Sequence, residues 1–270
     1  MASVLNVLTD SWEIIRKQPT VLIPYTVIAI LLIAVIGAAA VVLLVPSLIG
    51  IGAGGHSLSA NQVITTIVGP VATTVGVAVV IGFFIGALLN GIYISLASQA
   101  KKGKKISFGT AFIAARKAYI RLLEVQLVTL IIYAVIALVI LSPLLLRSLG
   151  PIFSGAIGAY TILVFAAAII LWLASMFLFL PSVIVVLENK GAWDAIKKSI
   201  SVVGKRFWSV LKLYLALIGI GIVYSIVVGI IGLVPFIGAI ITFIVAIVYA
   251  TWNLLLPAIY YMDFVGIGKK

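Results

Sequence analysis

The chain contains no cysteine, which excludes disulfides, Fe–S clusters and thiol chemistry. It holds one histidine, His56, so the histidine clusters of an integral-membrane metalloenzyme cannot be assembled. Carboxylates are equally scarce: six acidic residues lie scattered over both ends of the apolar segments and leave no obvious metal or acid/base pair. There is no Walker A loop. No catalytic, metal-binding or cofactor-binding residues are therefore expected, no cofactor is implied, and the chain is read as not an enzyme.

Charge of any kind is sparse. Of 270 residues 9% are charged and 64% are hydrophobic, where a soluble domain is about 25% charged and about 45–50% apolar. That composition rules out a soluble protein. At 1.5 Å rise per residue, a bilayer core roughly 30 Å thick needs about 20 apolar residues per crossing, and six such runs are present: 20–46, 69–98, 122–146, 157–187, 207–232 and 236–262. The expected fold is all-α, one polytopic membrane helix bundle over residues 1–270. The first run is too long for a secretory signal core and follows Asp10, Glu13, Arg16 and Lys17, so it reads as an uncleaved first span. Gly69-Pro70 should open the second span, since proline is comfortable in a first helical turn. Residues 47–62, rich in glycine, are expected to form a loop, and Pro235 fits a tight turn between the last two spans.

The few charges are lopsided, 18 basic against 6 acidic, for a net +12. Residues 1–20 hold two of the basic residues, 99–121 seven, 188–212 six and the tail two; Arg147 alone lies opposite. With six crossings those four regions share one face. The positive-inside rule makes it cytoplasmic, with both termini inside a cell membrane. Anionic lipids on that face are the expected partners, with a membrane-protein partner or homo-oligomer as further possibilities. Nucleic acid is not expected, because no soluble basic and aromatic recognition domain is present.

One pattern precedes each odd-numbered span. Trp12 is followed by Arg16 and Lys17, Phe112 by Arg116 and Lys117, and Trp193 by Lys197 and Lys198. Each triplet sits on helical periodicity, clearest for Leu5, Leu8, Trp12 and Ile15 against Asn6, Asp10, Glu13 and Lys17. These segments are expected as amphipathic interfacial helices, apolar side in the acyl boundary and basic side toward headgroups. The unit of amphipathic helix, span, outer turn and span then repeats three times, about 1–98, 99–187 and 188–262, as parallel hairpins. Pseudo-threefold packing is one arrangement this permits.

Within the spans the polar residues are Asn90, Glu124, Gln126, Lys212 and Asn253. Chemistry at membrane depth would have to use them. Glu124 and Lys212 lie near the inner ends of their spans and read first as snorkelling groups or an interfacial ion pair, alternatively as a polar binding point between repeats. Asn90 and Asn253 read as interhelical glue. Gly82 and Gly86, with Gly76, Gly219, Gly221, Gly229 and Gly232, suggest close helix contacts, and Pro181 and Pro257 suggest breaks near the inner face.

The run Glu188-Asn189-Lys190-Gly191-Ala192-Trp193-Asp194-Ala195-Ile196-Lys197-Lys198-Ser199, continuing through Gly204-Lys205-Arg206-Phe207-Trp208, resembles a recurrent element of prokaryotic six-helix membrane proteins. These include the membrane domain of some glycerophosphodiester phosphodiesterases. The phosphodiesterase domain has no counterpart in this sequence, so the resemblance implies an anchor, scaffold or lipid-facing module and no activity. The expected function is a non-enzymatic module for lipid or membrane organisation or for partner scaffolding; the rival is a small-solute transporter or channel.

Overall fold

The computed structural model describes residues 4–54, 68–147 and 157–265, and every regular element among them is helical. His56, residues 55–67, 148–156 and the tail lysines lie outside the described residues. The elements are α1 (Val4–Lys17), a 3-10 turn (Pro19–Leu22), α2 (Ile23–Gly54), α3 (Gly69–Lys101), α4 (Phe108–Arg147), α5 (Ile157–Phe177), α6 (Pro181–Glu188), α7 (Ala192–Lys205), α8 (Phe207–Gly232) and α9 (Ile237–Val265). Six helical segments are long and apolar enough to cross a membrane. Pro70 falls in the first turn of α3, and a tight turn at 233–236 joins α8 to α9, closed by Gly238 N–H donating to the Val234 carbonyl at 2.9 Å.

Three boundaries differ from expectation. Residues 47–54 continue α2 rather than opening a loop, because the neighbouring apolar residues extend the helical run and glycine lowers helix propensity by only about 1 kcal/mol each. The break expected at Pro257 is absent, since α9 runs through it, whereas the one expected at Pro181 is present: the fourth span is broken into α5 and α6 at residues 178–180. Pro181 begins α6 and cannot donate to the Phe177 carbonyl, so the chain leaves the helix there. The buried Ser199 hydroxyl donates to that carbonyl at 2.6 Å instead. Finally, the stretch around Phe112 is not a separate helix: α4 runs unbroken for 40 residues, roughly 60 Å and about twice the hydrocarbon thickness.

The breaks after α1 and after α7 have local causes. Pro19 forces Gln18 out of the helical region, to φ −138° and ψ 74°. Arg206 leaves the helix at φ −125° and ψ 30°, just after Gly204. No proline stands between Phe108 and Leu141, so nothing interrupts α4 there.

Packing separates the spans into two sets. The second, fourth and sixth spans meet one another through α3, α6 and α9. Each remaining span lies against two of these: α2 against α3 and α9, α4 against α3 and α5–α6, α8 against α9 and α5. The core sits where α3, α6 and α9 converge, around Tyr93, Leu96, Ile184, Leu256 and Ile259, all fully buried. The tightest crossing is α3 on α4, where a Cβ added at Gly91 would stand 2.8 Å from Ala115 Cβ and 2.9 Å from Leu122 Cδ1. Gly82, Gly76, Gly219, Gly229 and Gly232 by contrast face open space, with nothing within 4 Å of an added Cβ. Those glycines do not mark close contacts among the described residues.

This core occupies only the end of the bundle that carries the basic segments. Toward the other end the helices present bare apolar faces: Val27, Ile30 and Ile33 on α2, Val75 and Val79 on α3, Ile222 and Ile226 on α8 are all exposed. In a bilayer these faces contact acyl chains, which removes them from water without any protein partner.

Candidate functional site

The basic end is held by two ion clusters that local sequence patterning does not reveal. Lys101, at the end of α3, pairs with Asp10 of α1 and with Asp263 of α9, the latter at 2.8 Å. Asp263 is only 9% exposed in its side chain, so Lys101 neutralises a carboxylate largely removed from water. Glu188, at the end of α6, accepts from Lys198 of α7 at 2.6 Å, from Lys190 at 3.4 Å and from the Tyr261 hydroxyl of α9. The Glu188 carboxylate raises the Lys198 ammonium above its ordinary pKa of 10.5. Asn189 takes the left-handed conformation, φ 56°, at the end of α6, which Asn tolerates well. Arg121 donates to its carbonyl at 2.8 Å.

A third anchor lies deeper. The Tyr93 hydroxyl inserts where α2 begins, accepting from the Tyr25 amide at 3.2 Å and donating to the Val21 carbonyl at 3.0 Å. It thereby stands in for the backbone bond that the 3-10 turn leaves unmade. Charge and hydroxyl groups thus tie α1, α2, α3, α6, α7 and α9 together at one end.

The matched aromatic and basic residues take the opposite side of these helices. Trp12 is 51% exposed, Phe112 47% and Trp193 61%. Arg16, Lys17, Arg116, Lys117 and Lys197 are exposed as well; Lys197 lies 5.6 Å from the Trp193 ring centroid, and Lys17 pairs with Glu13 at 2.6 Å on the exposed face of α1. Lys198 is the exception, turned to Glu188. The structure adds a fourth pair: Trp208, 72% exposed, precedes the exposed Lys212 by one helical turn on α8. Its signal in the sequence is the same aromatic and basic spacing, i to i+4, one copy further along.

Beneath Trp12 an apolar cleft of about 450 Å³ opens between α8 and α9, lined by Ile220, Tyr224, Ile244, Tyr249 and Trp252. Tyr224 and Tyr249 stack across it with centroids 4.0 Å apart.

The five intramembrane polar residues separate. Glu124 and Lys212 are exposed on α4 and α8. Gln126 is half-buried; its Oε1 has no hydrogen-bond partner among the described residues, and its Nε2 faces Gly86. Asn90 and Asn253 are brought together. They line one cavity of about 270 Å³ with Tyr133, Ser175, Ser182 and Tyr214, at the break between α5 and α6. Counting back from the ends of α3 and α9 and forward from the start of α8, the cavity lies roughly 10–18 Å into the bundle.

A bundle with six apolar spans, a packed basic end and lipid-facing helices at the other defines a multi-pass helical membrane protein. Residues 2–260 match the model of a domain of unknown function, DUF7847, and the chain belongs to that family. No curated protein and no solved structure matches it.

Proposed function

We propose that the protein is a non-enzymatic module of the cytoplasmic membrane, with both termini inside, whose basic end lies in the anionic inner-leaflet surface and organises lipid there. The observation that carries this reading is the outward placement of the matched residues. The aromatics at 12, 112 and 193 and five of their six basic partners stand exposed on the same end of the bundle. Exposed aromatic rings suit the headgroup level, and each basic residue near an anionic surface contributes about 1 kcal/mol before screening. The cleft under Trp12 has the wholly apolar lining that an acyl chain takes. The bare faces of α2 and α8 then belong to lipid, or to a partner that the module supports. The internal repeat fits the contact pattern, in which each odd-numbered span occupies a groove between two even-numbered ones. The likeness of residues 188–208 to membrane domains attached to glycerophosphodiester phosphodiesterases is in keeping with a module of this kind and brings no activity with it.

Tryptophan quenching tests the proposal. The protein is placed in bilayers that carry brominated lipid, either anionic or zwitterionic, at low and high salt. Stronger quenching by the anionic lipid, weakened by salt and by Gln at positions 16, 17, 116, 117 and 197 together, is the expected result. Equal quenching by both lipids at low salt refutes it.

A second reading, a small-solute transporter or channel, is favoured by one observation: Asn90 and Asn253 share a cavity. Proteoliposome uptake of small solutes that is lost in Asn90→Leu supports it, and uptake no faster than in empty liposomes rejects it.

A further inference from the structure

The cavity at the break between α5 and α6, lined also by α3, α4, α8 and α9, has more hydrogen-bonding capacity than the fold uses. The Asn90 side chain makes no hydrogen bond to any other described residue, and neither do the hydroxyls of Tyr133 and Ser182, whereas Tyr214 donates to the Ser175 carbonyl at 2.8 Å. Asn253 donates its amide to the Tyr249 carbonyl of its own helix at 2.9 Å, which leaves its Oδ1 available. Pro257 lies inside α9 and lacks an N–H, so the backbone carbonyl four residues earlier, that of Asn253, loses its helical donor.

The break in the fourth span is accounted for on one side only. The last carbonyls of α5 all have donors: Ala174 from the Leu178 amide, Ser175 from Tyr214, Met176 from the Phe179 amide and Phe177 from Ser199. In the first turn of α6 the Ser182 and Val183 amides donate to no other described residue, although both residues line the cavity. Donors and acceptors at this depth have no bulk water to turn to.

We propose that this cavity is a binding site for a small uncharged solute bearing hydroxyl or amide groups. Its donors are the Asn90 amide, the Ser182 and Tyr133 hydroxyls and the free amides of α6; its acceptors are Asn90 Oδ1, Asn253 Oδ1 and the Asn253 carbonyl. No ionised side chain lines the cavity, so a charged solute would enter without a counter-ion and carry the full cost of its desolvation. A volume of about 270 Å³ lies at the lower edge of the roughly 300–1,000 Å³ typical of ligand pockets, which selects a solute of a few heavy atoms. Binding in this cavity requires neither passage of the solute across the membrane nor anionic lipid on the outside of the bundle.

The test uses the full chain in nanodiscs, with saturation-transfer NMR on acetamide, glycerol and acetate and empty nanodiscs as blank. Acetamide and acetate share shape and differ in charge. Saturable signals from acetamide and glycerol that compete with each other, with none from acetate, are expected. Asn90→Leu and Ser182→Ala should each weaken acetamide binding about 3- to 10-fold, the effect of one lost hydrogen bond, while Glu124→Gln, outside the cavity, leaves it unchanged. If Asn90→Leu does not insert, Ser182→Ala alone decides the outcome. No saturable binding of either neutral probe, acetate bound as well as acetamide, or unchanged affinity in Ser182→Ala overturns the proposal.

Discussion

Gly91→Ala should destabilise the bundle at its tightest crossing. The added Cβ would stand 2.8 Å from Ala115 Cβ, 2.9 Å from Leu122 Cδ1 and 3.0 Å from Ala115 Cα. Carbon atoms settle at about 3.5–4.0 Å, so α3 and α4 would have to part by roughly 0.5–1 Å along a buried contact. One of the three obstructing atoms is backbone and cannot rotate away. Overpacking of this kind costs about 1–3 kcal/mol, against a gain of up to about 1 kcal/mol from replacing a helical glycine by alanine. Gly82→Ala shares that gain and meets open space, so the difference between the two variants isolates the clash at about 1–3 kcal/mol. Reversible unfolding in mixed micelles of rising SDS fraction, followed by circular dichroism, measures both. Adding Ala115→Gly to Gly91→Ala should recover part of the loss, since one obstructing atom goes and two remain; the coupling is read from the double-mutant cycle. Equal stability of Gly91→Ala and Gly82→Ala would refute this packing of α3 on α4.

Other outcomes follow from the ion clusters and the broken span. Lys101→Met leaves Asp263 buried without its cation and should cost about 3–5 kcal/mol, with Asp263→Asn restoring much of it in the double variant, measured in the same unfolding assay. Ser199→Ala leaves the Phe177 carbonyl without a donor and should cost about 1–3 kcal/mol. Tyr93→Phe, which withdraws a hydroxyl from both Val21 and Tyr25, should speed hydrogen exchange at the start of α2 and leave α8 unchanged. Because the Lys198 pKa is raised by Glu188, the stability that rests on the Lys198 charge is in place below pH 10.5 and is lost as pH rises through the folded value. Wild-type protein should therefore lose an increment above pH 10.5 that Lys198→Met lacks; an identical alkaline profile in both would contradict the pairing.

The spans and the basic end were legible in the sequence because hydropathy and charge placement are local properties of the chain. The order of packing was not. The spans are apolar on all sides, so no stripe tells which faces lipid and which faces protein, and the central position of α3, α6 and α9 depends on contacts between distant segments. Glycine spacing misled for the same reason: Gly82 resembles a contact residue and faces open space, while Gly91, further along the same helix, meets Ala115. Pro181 did signal a break in the fourth span, but its replacement donor, Ser199, lies 22 residues away from Phe177 and carries no pattern. Asn90 and Asn253 were visible as rare polar groups, whereas their common cavity needed the fold. The ion clusters were hidden because a lysine among many, such as Lys101, looks the same whether it meets lipid or a buried Asp263.

The proposed function depends most directly on which side of the membrane holds the packed, basic end. The natural chain has no cysteine, so single cysteines report cleanly when intact cells are treated with a membrane-impermeant maleimide. Lys104→Cys and Lys205→Cys should be labelled only after the membrane is opened, and Val234→Cys, in the turn between α8 and α9, should be labelled in intact cells. Labelling of positions 104 and 205 from outside, with 234 protected, would contradict a cytoplasmic basic end and the lipid-organising role built on it.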